Sequence, residues 1–208
     1  MPQTPARQLS RLPAPGPTLP DLLSGGDPRG LRNVDTVVGI VLAEPERLDE
    51  LISSVLGSPD EVVRMRAGDA LEKVCRAQPA LLQPHVPLLL GDLSTVHQPS
   101  VEWHVAQMLG QVALTAAQRR RAVRLMNRNC DESSDWIVLN CSLETLAILA
   151  RQDPAVVDDL RRQLVRHEQS SYKSLANRAR RLRLEFGPDG TAPTERNPKG
   201  DRDDQPSR

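Results

Sequence analysis

The chain has 208 residues, of which 38% are hydrophobic and 26% charged, and its 27 basic and 27 acidic side chains cancel to a net charge of zero. That length and apolar content suffice for one buried core or two small ones, while the charge balance removes any whole-chain electrostatic argument for nucleic acid or membrane binding. With two Trp, one Tyr and one Phe there is little to stack on bases or sugars.

Residues 1–33 carry Pro2, Pro5, Pro13, Pro15, Pro17, Pro20 and Pro28 with Gly25, Gly26 and Gly30. Such a stretch is expected to be disordered, with Leu19, Leu22 and Leu23 available for weak docking at most. A capping helix is expected over 34–42, followed by a short amphipathic helix carrying Leu48, Leu51, Ile52 and Val55. Ser58, Pro59 and Glu61 then read as an N-cap, a first-turn proline and the far side of a capping box, opening a long helix. Leu81, Leu82, Val86 and Leu89 mark a short helix made irregular by Pro84 and Pro87, and Gly91 ends it. Ser100 caps a second long helix, and Thr115 with Gln118 forms another capping box before a short helix bearing Ala122, Val123, Leu125 and Met126. Ser133 or Ser134 caps a third long helix. Asp153 and Pro154 start the short helix of Val156, Val157, Leu160 and Leu164, and Ser170 or Ser171 caps the last long one. After Phe186 the segment 187–208 is polar, rich in Pro and Gly, and expected to be disordered. The folded part is thus expected to be all-α and to span 34–186.

The long helices repeat one another. Segment 63–74 maps onto 101–112, 138–149 and 174–185, placing Leu71, Leu109, Leu146 and Leu182 in one column. Gly68, Ala106, Leu143 and Ala179 form a second column; Val63, Val101 and Val138 align at the front, and Val74, Val112 and Leu149 at the back. This alternation, with Asp60, Val63, Arg64, Ala67, Ala70 and Leu71 in the first long helix, resembles the HEAT repeat family over about 45–186. The resemblance implies a short α-solenoid of about four helix pairs, with the second helices lining its concave side. HEAT folds serve scaffolds, adaptors, lyases and DNA repair enzymes, so the resemblance specifies architecture more than activity.

On that arrangement, positions opposite the leucine column face outward: Met65, Asp69 and Glu72; Trp103, Gln107 and Gly110; Asn140, Glu144 and Ala147; Ala176, Arg180 and Arg183. Residues 34–115 hold 11 Asp and Glu against 5 Lys and Arg, and residues 116–186 hold 9 against 14, so the stack runs from acidic to basic. Arg119, Arg120, Arg121, Arg124 and Arg128, with Arg178, Arg180, Arg181 and Arg183, form a candidate basic patch for an acidic protein segment or a phosphate backbone. Trp103 is the candidate binding anchor; Trp136 is expected to be buried. The expected partner-binding residues are therefore Trp103, Gln107, Asn140, Glu144, Arg180, Arg181 and Arg183.

Cys75, Cys130 and Cys141 read as small buried hydrophobes. His85, His97, His104 and His167 show no metal-ligand spacing, and no nucleophile elbow or phosphate loop occurs, so neither a catalytic residue, a metal nor a cofactor is expected. The N-terminus lacks the apolar stretch of a signal peptide and no run is long enough for a membrane span, and a cytoplasmic protein without membrane contact is the expectation. The leading function is a non-catalytic scaffold or adaptor for a protein partner. The alternative is a DNA-interacting HEAT protein resembling the alkylpurine DNA glycosylases, with nucleic acid held by the basic C-terminal half.

Overall fold

The structure, a computed structural model, describes residues 16–187. Those residues are helical throughout, with turns between helices and no strand. In chain order the helices are α1 (Leu19–Leu23), α2 (Val34–Ala43), α3 (Leu48–Gly57), α4 (Glu61–Ala77), α5 (Pro79–Leu82), α6 (Val86–Leu89), α7 (Pro99–Leu109), α8 (Ala116–Glu132), α9 (Trp136–Gln152), α10 (Val157–His167) and α11 (Lys173–Phe186). Pro84 and Pro87 divide the second short helix, as its spacing suggests: α5 and α6 are single turns joined by a 3-10 turn over Gln83–His85.

Packing follows chain order. α4 packs on α2 and α7, α9 on α7 and α11, while α3, α8 and α10 flank α4, α9 and α11 respectively. All four leucines of the repeat column are buried, as are the small column and the front and back positions. The side-chain hydrogen bonds repeat the same interval. Lys73 to Asp35, Gln111 to Glu72, Thr145 to the Ala106 carbonyl, Arg178 to Asn140 and Arg151 to Glu185 each join residues 34–39 apart. Each helix is thereby tied to its successor.

Most helix starts are capped one or two residues away from the positions that sequence rules favour. Asp60 caps α4 and Asp135 caps α9, each accepting from the first-turn N–H groups. Ser58 and Ser133 lie two residues earlier and accept the N–H of those aspartates. The α7 N-cap is Gln98, with Ser100 inside the helix, and that of α11 is Tyr172, whose N–H bonds Ser170. Thr115 and Gln118 do form a capping box, and Asp153 accepts from Ala155 N–H. With 17 residues, α8 is as long as α4 and α9 rather than short.

Residues 16–33 depart furthest from expectation. In place of disorder they form α1, with its own Thr18–Asp21 capping box, and Leu19 and Leu23 fully buried. Tertiary bonds overcome the weak local propensity. Leu19 N–H bonds Glu50 Oε1 at 2.6 Å, and Asn33 Nδ2 donates to the Leu22 carbonyl at 2.9 Å. Above all, Arg66 on α4 is completely buried, with its guanidinium donating to the carbonyls of Leu23, Gly25, Asp27 and Gly30 at 2.5–2.8 Å. Gly25 and Gly26 supply the left-handed turns (φ 67° and 71°) that bend this loop around the guanidinium. The expected disorder over 1–15 and 188–208 lies outside the described residues.

Candidate partner-binding site

α9 carries the centre of the candidate site. Leu139, Leu143, Leu146 and Leu149 bury most of its circumference, leaving one narrow stripe of Ile137, Cys141, Glu144 and Ile148 at spacings of four, three and four. The neighbouring stripe on α11 is Ser174, Arg178, Arg181 and Glu185, and α7 contributes Gln107 with Gln111 just beyond its end. Two depressions run along this face. One of about 240 Å³ lies among Gln107, Gln111, Cys141, Glu144, Thr145, Ile148 and Arg178. The other, of about 410 Å³, lies among Trp136, Ile137, Asn140, Cys141, Ser174, Asn177, Arg178 and Arg181. Cys141 and Arg178 line both, so the two form one groove across three helices.

The groove's charges are concentrated on Glu144. Arg178 forms an ion pair with it and donates Nε to Asn140 Oδ1 at 2.9 Å. Arg151 and Arg181 approach the same carboxylate at 3.8 and 3.7 Å. Arg151 is separately held by Glu185 through two parallel bonds of 2.7 and 2.8 Å, which draws the Glu185 carboxyl below its ordinary range. Farther up the row, Asp69 and Glu72 on α4 give the acidic end, where Lys73 bridges Asp69 and Asp35.

Only part of the expected site comes together here. Gln107, Glu144 and Arg181 line the groove, and Asn140 sits in its floor with both ends of its amide engaged by the Trp136 carbonyl and Arg178. Trp103 is half-buried, its ring edge-on to His104 at 5.5 Å, and it lines neither depression. Trp136, expected in the core, is instead 44% exposed because it is the first residue of α9, beyond the packed turns. Arg180 bonds the Glu168 carbonyl and Arg183 pairs with the Glu168 carboxylate, so both turn to the α10–α11 corner. Glu72, Ala147 and Ala176, expected outward, are buried between successive helices. Within this row α4, α7 and α9 are packed on both flanks, so their solvent stripe is narrower than simple opposition to the leucines suggests.

The chain matches no family model, no curated protein and no solved structure. Function therefore has to be argued from the surface itself.

The arginines of α8 do not join those of α11. Arg119 pairs with Asp153 at 2.9 Å, and Arg121 and Arg128 donate to the carbonyls of Leu90 and Ser94. Arg120 and Arg124 are exposed beside a separate pocket of about 320 Å³ between α8 and the start of α10. The thiols are poor nucleophiles: burial pushes Cys75 and Cys130 up to about 12 and Cys141 up to about 11. Cys141 is the one cysteine that is not fully buried. Among the described residues no helix is long and apolar enough to cross a membrane.

Proposed function

We propose that this chain is a short HEAT-type α-solenoid of about four helix pairs, with α1 and α2 added at its N-terminal end, acting as a non-catalytic scaffold or adaptor. Its partner lies in the groove along α7, α9 and α11. The observation that carries this reading is the groove's continuity: Cys141 and Arg178 belong to both depressions, and Trp136 stands exposed at one end. Supporting the solenoid are the residue intervals of 34–39 in the interhelix bonds, which reproduce the sequence repeat. Trp and Arg are also the residues on which interface energy most often concentrates.

Affinity capture in the native host tests this reading. Cys141→Arg and Ile148→Arg each fill the groove, and either should abolish recovery of the partner that the unaltered chain retains. A partner captured equally by both variants would overturn the groove as the binding site. The second reading, DNA contact, rests on Arg120 and Arg124, exposed on α8 and outside the ion pairs that occupy Arg119. It requires binding to duplex DNA that weakens steeply with salt and is reduced by Arg120→Glu with Arg124→Glu.

A further inference from the structure

We propose that the occupant of the groove is an acidic segment of a protein partner carrying at least one large apolar side chain, a proposal that rests on the scaffold reading above. Three guanidiniums surround Glu144, and a single carboxylate does not neutralise three cations. Arg151 has Glu185 as its own partner, and Arg178 is held by both Asn140 and Glu144. Arg181 is left as the surplus cation. Its side chain is 69% exposed, it approaches Glu144 no closer than 3.7 Å, and it stands on the wall of the larger depression.

Opposite Arg181 the wall is apolar: Trp136, Ile137 and Cys141. Beside it stands Tyr172, 42% exposed, donating its hydroxyl to the Ser134 carbonyl at 3.2 Å. The two exposed aromatic side chains among the described residues therefore stand at the starts of α9 and α11. The N-terminus of α11, a helix of 14 residues with no side-chain cap, also directs its positive dipole end to this side, whereas that of α9 is already occupied by the Asp135 carboxylate. A carboxylate next to an apolar side chain fits this combination: the carboxylate on Arg181, the apolar group on Trp136 and Ile137. A phosphate backbone fits less well, because Arg180 and Arg183 are turned to Glu168, Arg119, Arg121 and Arg128 of α8 to other partners, and the exposed Arg120 and Arg124 stand at a separate pocket.

Selection of random dodecapeptides on the full-length protein tests the proposal. The enriched peptides should carry net negative charge and a large apolar residue, and their binding should weaken with added salt. Arg181→Glu should lower the affinity of a synthetic copy about tenfold or more, and Trp136→Ala comparably. Arg120→Glu with Arg124→Glu should leave it unchanged. Circular dichroism of Arg181→Glu and Trp136→Ala should match the unaltered protein, since both side chains are exposed. Enrichment of neutral or basic peptides that respond to Trp136→Ala but not to Arg181→Glu would overturn the acidic occupant while leaving the groove intact. Peptide binding indifferent to both substitutions would overturn the groove reading as well. Duplex DNA displacing the selected peptide at physiological salt would replace the acidic segment with a phosphate backbone.

Discussion

His104 and His167 are both buried, and burial disfavours their charged forms, lowering each below its ordinary value. Nδ1 of His104 lies 3.2 Å from Gln107 Oε1, and Nε2 of His167 lies 3.1 Å from the Cys130 carbonyl. Asp69 and Glu72 oppose the shift at His104, with Lys73 reinforcing it, yet desolvation prevails. The unfolded chain takes up protons at these side chains at a higher pH than the folded chain does. Stability is therefore full above about pH 6.5 and declines as pH falls from there toward the folded-state values. Denaturant midpoints measured between pH 7.5 and about 5 should decrease, and His104→Gln with His167→Gln should flatten that decrease. An unchanged slope in the double variant would show that other groups carry the pH dependence.

The helix starts show what could be read at the level of elements. Apolar spacing locates α4, α7, α9 and α11 as the long helices and α8 as a short one, because burial of one face repeats with the helical period but does not mark where the helix ends. The caps were less legible. Ser58 and Ser133 have the right chemistry for an N-cap, but an aspartate two residues later takes that place and the serine supports it. Asp135 accepts from the N–H groups of both Ile137 and Val138, whereas Ser133 reaches only Asp135 N–H. Asp135→Ala should accordingly cost about 1–2 kcal/mol in chemical denaturation, and Ser133→Ala about 0.5 kcal/mol. Equal losses would contradict this division of roles. The groove was half legible for a related reason. The sequence repeat shows which positions are in the core, but the width of the solvent stripe depends on neighbours at both flanks. Gln107, Glu144 and Arg181 were thus found, while Ile137, Cys141 and Ile148 were not. The apolar character of α9 places Trp136 in the core, but it says nothing about a residue standing ahead of the first packed turn.

At the scale of the molecule, the N-terminal boundary is the chief difference between composition and structure. Proline and glycine content counts against regular structure in residues 16–33, but a guanidinium 36–43 residues away organises them. A chain beginning at residue 34 would leave Arg66 without its carbonyl partners and expose the surface that Leu19 and Leu23 cover. Such a truncation should lower the unfolding free energy markedly relative to a chain beginning at residue 16. In the full chain Arg66→Met should cost about 3 kcal/mol, since one buried carbonyl and three part-buried ones lose their donor, the latter partly regaining water. Equal stability of the two truncated chains would refute the role given to this segment.

The same guanidinium makes the two ends of the row unequal in how they come apart. Among the described side-chain hydrogen bonds, its grip on Leu23 spans the most sequence, 43 residues, so the N-terminal end cannot detach without breaking into α4. At the other end of the described residues α11 packs chiefly on α9 and α10, with Leu184 on its outer side 86% exposed. Fraying should thus proceed in one direction, from α11 inward, with amide hydrogens of α11 exchanging before those of α4. Since Arg178 and Arg181 ride on that outermost helix, the wall of the groove that carries the positive charge is also the one most readily released, and a bound partner would act as a clasp on the loose end of the molecule.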